Sequence, residues 1–220
     1  MDKRVIVLHS GGVDSTTLLY HYVRQGCEPI SLTICYGQKH KKEIECARKT
    51  SKIFQVKHLE IEIPLPFSNS ALLNSSIEVP KSDYTVETQK ITVVPNRNMI
   101  LLAYAIGFAE DLKCGYVAYA AHHNDRAVYP DCREEFFYAL NVASMLGTYQ
   151  NVKIEAPFIS WTKGEIVRYG VSLGVPYEYT WSCYEGGEKP CGQCGTCHER
   201  RQAFEFAGVP DPLEIKHRRS

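Results

Sequence analysis

The sequence predicts an α/β protein: an open parallel sheet with helices on both faces, followed by a small cysteine-bound segment. Three observations carry this. Short apolar runs alternate with stretches of helical periodicity through residues 4–173, which is the pattern of βαβ units. A glycine-rich turn, Ser10-Gly11-Gly12, joins the first apolar run to the first helical stretch. Four of the nine cysteines, Cys183, Cys191, Cys194 and Cys197, fall in one late window.

The elements follow in order. Residues 4–8 are short, apolar and β-branched and read as a buried strand. Residues 13–24 read as a helix with Leu18, Leu19, Tyr22 and Val23 on one side. A second strand is expected at 29–34, a charged amphipathic helix at 41–54 and an alternating third strand at 57–63. Residues 64–89 show little periodicity and are rich in Pro, Ser and Asn, a long excursion that suits a lid or an insertion. A short extended piece is expected at 90–94, a helix at 98–112 and a strand at 116–120. A helix at 133–146, a strand at 152–156 and a helix with a polar start at 162–173 complete the sheet and its cover. Residues 180–201 read as a metal-clamped loop leading into a short helix through Phe206. The tail, Lys216 to Arg219, is expected to fray. The whole, 1–220, forms one domain.

Composition bounds the function. Apolar residues make up 44% and charged residues 23% of the 220 residues, as in ordinary globular proteins. A chain of this length buries roughly 70% of its unfolded surface, so its core needs no disulfides. Lys plus Arg and Asp plus Glu each total 25. That balance argues against a dedicated nucleic-acid binder. The apolar run at 5–8 is too short for a signal-peptide core. The uncharged stretch at 99–109 is too short to span a bilayer. The expected compartment is the cytoplasm, where the cysteines stay reduced and are free or metal-bound.

The turn Ser10-Gly11-Gly12-Val13-Asp14-Ser15 lies where α/β proteins bind phosphates. Glycines let the backbone approach an anion, and the helix N-terminus offers free N–H groups and a positive dipole end. Ser10, Ser15, Thr16 and Thr17 can add hydroxyl donors, and Asp14 can hold a Mg²⁺ bridged to phosphate. No Gly-Lys-Ser/Thr follows, so this is not a Walker loop, and it lacks the G-x-G-x-x-G dinucleotide fingerprint. The turn resembles the loop of the N-type ATP pyrophosphatases, which activate a carbonyl by adenylation and release pyrophosphate.

The four late cysteines have the spacing C-x7-C-x2-C-x2-C. Four thiolates can complete a closed, structural, tetrahedral zinc site; an iron–sulfur cluster is the competing assignment. Three polar segments should meet at the strand ends, where open α/β sheets bind ligands: residues 36–40, 95–98 and 125–133. Arg97 and Arg133 can grip a carboxylate, and Asp125 and Asp131 can accept paired N–H donors from a guanine-like base. Asp131 and Arg133 could equally cap the following helix. His122 and His123 read as loop residues, and Lys163 as a candidate phosphate ligand.

Taken together, these segments resemble the QueC family, the 7-cyano-7-deazaguanine synthases, over nearly the whole chain. The resemblance rests on Ser10 to Ser15, Tyr36-Gly37-Gln38, Arg97-Asn98, Tyr129-Pro130-Asp131-Cys132-Arg133, Thr180-Trp181-Ser182-Cys183 and the three later cysteines. It implies the adenine nucleotide alpha hydrolase-like, PP-loop fold and a zinc-containing ligase. That ligase turns 7-carboxy-7-deazaguanine and ammonia into the nitrile through adenylated acid and amide, using ATP with Mg²⁺, and acts as a homodimer. The ATP-binding stretch it implies comprises Leu8, His9, Ser10, Gly11, Gly12, Val13, Asp14, Ser15, Thr16, Thr17 and Leu18. Asn96 stands where the family usually has glycine, and Asn tolerates positive φ. Arg126-Ala127-Val128 are bulkier than in many relatives, which bears on the contacts around Asp125. A tRNA-thiolating relative is the alternative. Its loop commonly has Lys where Val13 stands here, and it needs a basic RNA-binding surface.

Overall fold

The computed structural model describes residues 3–81 and 90–218. Strand β1 (Arg4–Leu8) is apolar throughout because it lies at the centre of the sheet, with Val5, Ile6 and Val7 fully buried. It pairs in parallel with β2 (Glu28–Cys35) on one side and β4 (Tyr116–Ala118) on the other. Strands β3 (Lys57–Glu62) and β5 (Lys153–Glu155) extend the sheet to five, in the order β3-β2-β1-β4-β5. All pairings are parallel, as the alternation predicts.

Strand register sorts the side chains onto two faces. Ile6, Ile30, Leu32, Val117 and Ile154 pack under α3 (Arg97–Asp111) and α4 (Glu134–Gly147). Val5, Val7 and Ala118 pack under α1 (Val13–Arg24) and α5 (Lys163–Leu173). Leu18, Leu19 and Tyr22 of α1 are buried, the two leucines each worth roughly 1.5–3 kcal/mol of apolar transfer. Helix α2 (Lys42–Ile53) covers the β2–β3 end through a polar layer. There Ser51 donates to Ser31 Oγ at 3.0 Å, and Ser31 bridges His9 Nδ1 and His58 Nδ1, each at 2.9 Å.

The chain winds outward through β2 and β3, then crosses back to β4 beside β1. The carboxyl ends of β1 and β4 therefore flank the switch point where such sheets bind ligands. Helix α6 (Gly195–Ala207) packs on α5 at a close approach, since a Cβ on Gly164 would lie 2.6 Å from the Phe206 ring. Arg200 of α6 grips Asp211 through both carboxylate oxygens at 2.6 and 2.9 Å and also donates to the Tyr177 carbonyl at 3.1 Å. The pair is buried, so removing one partner costs about 3–5 kcal/mol.

Two expectations change. The piece at 90–94 is not extended: the Val93 N–H donates to the Lys90 carbonyl at 3.2 Å in a turn. The Ile91 and Thr92 carbonyls instead accept from Ala71 N and Ser70 Oγ, so the excursion satisfies this backbone in place of a neighbouring strand. Of the excursion itself, residues 82–89 lie outside the described residues. The tail carries a short helix, α7 (Pro212–Arg218), which buries Leu213 against the cysteine segment. Position 219 lies outside the described residues. Among the described residues no helix is long and apolar enough to cross a membrane.

Candidate active site

The turn after β1 is built to leave the start of α1 open. Its N-cap, Gly12, offers no side-chain oxygen, so nothing caps the first N–H groups of the helix. The Ser10 and Ser15 hydroxyls lie 3.0 Å apart, and Ser10 Oγ accepts from Gly12 N at 3.2 Å, which holds the turn in a cradle. Gly11 has φ +87°, and a Cβ there would lie 2.1 Å from the Glu43 carbonyl oxygen. Only glycine fits between the turn and α2. Behind the cradle, His9 bonds Thr16 Oγ1 at 3.1 Å through Nε2. Burial, and secondarily the His58 charge, lowers its pKa to about 3, so it stays neutral.

The cradle opens into a cavity of about 290 Å³. Leu8, His9, Ser10, Gly12, Val13, Asp14 and Ser15 line it. Gly11 turns its carbonyl to Trp181 N at 3.0 Å. Thr16, Thr17 and Leu18 point away. Thr16 is held by His9, Thr17 donates to the Val13 carbonyl at 2.8 Å and meets Tyr177 OH at 2.7 Å, and Leu18 lies in the core.

Beside the cradle is a charged cluster. Lys163 Nζ lies 3.1 Å from Asp14 Oδ2 and 2.8 Å from Glu199 Oε2. His122 Nε2 lies 3.4 Å from Asp125 and 3.7 Å from Asp14. Burial opposes charge on Asp14, but Lys163 and His122 outweigh it and hold the carboxyl well below the usual range. Burial likewise opposes His122, yet Asp125 and Asp14 raise it to about 9, so it is an imidazolium at neutral pH. Burial raises Asp125. His122, Asp125 and Glu199 place ligand atoms within 4.8 Å of one another. Asp14 Oδ1 is buried without a hydrogen-bond partner. His122 and Glu199 were missed in the sequence: the one reads as a loop residue, and the other is a mid-helix acid that only the fold brings to Lys163.

The opposite end of the cavity lies under α3. Asn96 adopts the left-handed conformation, φ 51°, as its residue type allows, and so turns the chain into α3. Arg97 follows, stacked over the Tyr36 ring and donating to Tyr36 OH at 3.2 Å. Asp131 caps α3 rather than the helix after it: its Oδ2 accepts from Asn98 N at 2.8 Å, a favourable place for a carboxylate. Arg97, Asp125 and Asp131 line the cavity, and so does Glu43, whose carboxyl burial pushes up to about 7 against Arg97 and Lys163. Arg133 does not line it. It sits at the N-cap position of α4 with no side-chain cap bond, and its Nε donates to the Arg126 carbonyl at 3.0 Å.

The Sγ atoms of Cys183, Cys191, Cys194 and Cys197 all lie within 4.8 Å of one another. Cys194–Cys197 is 3.5 Å and Cys191–Cys197 is 4.0 Å, against about 3.8 Å for a tetrahedral site with 2.3 Å metal–sulfur bonds. Backbone N–H groups of Glu185, Cys191, Gln193 and Cys194 point at the sulfurs, which stabilises thiolates. The four form a candidate metal centre. Trp181, Ser182, Tyr184 and Thr196 from this segment wall the cavity, so a metal here would act on the pocket through its shape.

Comparison with known proteins agrees with this geometry. A family model described as queuosine biosynthesis protein QueC matches residues 4–208. The chain is 50% identical over 213 residues to a 7-cyano-7-deazaguanine synthase of Archaeoglobus fulgidus, covering 96% of this chain and 89% of that one. It is 48% identical over 215 residues to one of Caldicellulosiruptor saccharolyticus, with 97% and 96% covered. The structure of an NMN synthetase from Francisella tularensis superposes on 97% of this chain and 81% of its own, with a TM-score of 0.50 at 17% identity, and so shares the fold. With a match that runs from β1 through the cysteine segment into the end of α6, the chain belongs to the QueC family.

Proposed function

We propose that the chain converts 7-carboxy-7-deazaguanine and ammonia to 7-cyano-7-deazaguanine, cleaving ATP to AMP and pyrophosphate. The observation that carries this reading is the uncapped α1 N-terminus opening onto a cavity with Arg97 at its other end. The free N–H groups of α1, the Ser10 and Ser15 hydroxyls and Lys163 would hold the β- and γ-phosphates. That leaves the α-phosphorus facing the cavity and stabilises the departing pyrophosphate. Arg97 and Asp125 would orient the deazapurine, and Asp131 would act by fixing the start of α3.

In the first activation a carboxylate oxygen bonds to the α-phosphorus and the bond to pyrophosphate breaks. Ammonia then bonds to the carbonyl carbon, a proton is lost from the nitrogen and AMP leaves with that oxygen, giving the amide. In the second, the amide oxygen is adenylated in the same way. Loss of AMP and protons leaves the nitrile, so each product uses two ATP. Asp14 fits a Mg²⁺ ligand through its unpartnered Oδ1, where the ion would neutralise phosphate charge. The four thiolates fit zinc in a closed site, which supplies structure and no reaction step. The partner proposed is a second copy of the chain. Tyr104 on α3 and Tyr138, Val142 and Leu146 on α4 are exposed by 46–84%, and Tyr149 just beyond α4 by 99%. These exposed large side chains sit on α3, on α4 and just beyond it, where a second copy would cover them; a stable dimer buries roughly 800 Å² on each side. Leu146→Glu should shift the sedimentation coefficient to that of a monomer.

The experiment that tests the function follows the deazapurine by mass spectrometry with ATP, Mg²⁺ and ammonium. Appearance of the nitrile with AMP and pyrophosphate supports the reading. A folded, metal-loaded protein that leaves the deazapurine untouched refutes it.

A further inference from the structure

Tyr119 stands one residue past β4, at the switch point of the sheet. Its side chain is 3% exposed and lines the cavity, yet its hydroxyl is buried without a hydrogen-bond partner. The other enclosed tyrosines are not left so. Tyr22 donates to Glu155 Oε2 at 2.5 Å, Tyr177 meets Thr17 Oγ1 at 2.7 Å, and Tyr129 meets Thr92 Oγ1 at 3.1 Å. An unmatched buried hydroxyl costs stability, and the residue that carries this one lines the cavity.

The surroundings say which ligand. Tyr119 packs in the same cluster as Leu102 and Cys132, on the α3 and α4 side of the sheet. Asn98 Nδ2 donates to Cys132 Sγ at 3.2 Å, so this wall continues into the start of α3 and Arg97. The α1 N-terminus belongs to the other side of the sheet. Burial raises the phenol, so it stays O–H and can donate.

We infer that Tyr119 is a substrate-binding residue whose hydroxyl donates to a carbonyl or carboxylate oxygen of the deazapurine, and not to ATP. The inference rests on the deazapurine reading above. Its test is Tyr119→Phe, which removes one oxygen and keeps the ring. The ligand-free variant should melt at a higher temperature than the wild type, because it no longer buries an unmatched hydroxyl. Its KM for the deazapurine should rise about tenfold, with KM for ATP unchanged. A lower melting temperature, a deazapurine KM within twofold of wild type, or a KM for ATP that rises in step would overturn the inference. A wild-type protein that turns over no deazapurine refutes the functional reading itself. Wild-type turnover with an unaltered variant refutes only the role of Tyr119.

Discussion

Replacing Gly11 by alanine tests how tightly the phosphate cradle is tied to its supports. Gly11 sits at φ +87°, and its added Cβ would fall 2.1 Å from the Glu43 oxygen and 2.6 Å from Ala47 N. Both are backbone atoms of α2, so no rotamer change relieves the clash. The left-handed backbone costs an L-residue about 1–2 kcal/mol. Forcing α2 outward adds overpacking of about 1–3 kcal/mol. The expected loss is therefore about 2–5 kcal/mol. It should appear as a lower urea midpoint at constant slope. ATP affinity should fall too. Helix α2 carries Thr50 and Ser51 against His9, and Gly11 O holds Trp181 N, so the cradle and the cysteine segment move together. Gly12→Ala is the control, since its Cβ would meet Ser10 Oγ at 3.3 Å and Trp181 O at 3.6 Å with no positive φ. That variant should lose much less stability. A Gly11→Ala protein with wild-type urea midpoint and ATP affinity, measured by calorimetry, would refute the reasoning.

Asp131→Ala should cost about 1–2 kcal/mol, the usual value of a lost helix cap. Asp131→Asn should recover part of it in thermal melts, because an amide oxygen can still accept from Asn98 N. Cys191→Ala should lose bound zinc by elemental analysis and unfold at lower temperature, since structural metal contributes directly to folding. Above the ordinary histidine pKa, His9 is neutral folded and unfolded. Below it the unfolded chain takes up a proton that the buried ring refuses until about pH 3. Stability attributable to His9 is therefore complete above about pH 6.5 and falls toward pH 3, by up to about 1.4 kcal/mol per pH unit. Urea titrations across that range should show a shallower fall in His9→Gln.

Elements whose signals are local could be read from the sequence. Strand β1 and helix α1 come out at 4–8 and 13–24 because an unbroken apolar run, a glycine turn and a helical stripe lie side by side. The cysteine cluster is equally local in spacing. Asn96 belongs here too, since its residue type already tolerates the turn it makes. The pocket's charged cluster was harder. His122, Asp14, Lys163 and Glu199 come from four separate elements, and only the parallel sheet order brings them together. Asp131 and Arg133 show the converse. Two positions apart in one motif, they diverge in space: one reaches α3 through Asn98, and the other turns out to the Arg126 carbonyl. Thr17 and Leu18 continue a phosphate-loop motif, but helical periodicity turns both inward. Tyr119 gave no signal, because an orphaned hydroxyl is a property of packing.

The most direct test of the account follows the oxygen atoms of the substrate. With 7-carboxy-7-deazaguanine labelled by ¹⁸O in both carboxylate positions, adenylation at the α-phosphorus predicts that each AMP carries one labelled oxygen and that pyrophosphate carries none. The nitrile should form with two labelled AMP. Unlabelled AMP, or label in pyrophosphate, would contradict carboxylate and amide attack on the phosphorus that the α1 cradle is proposed to expose.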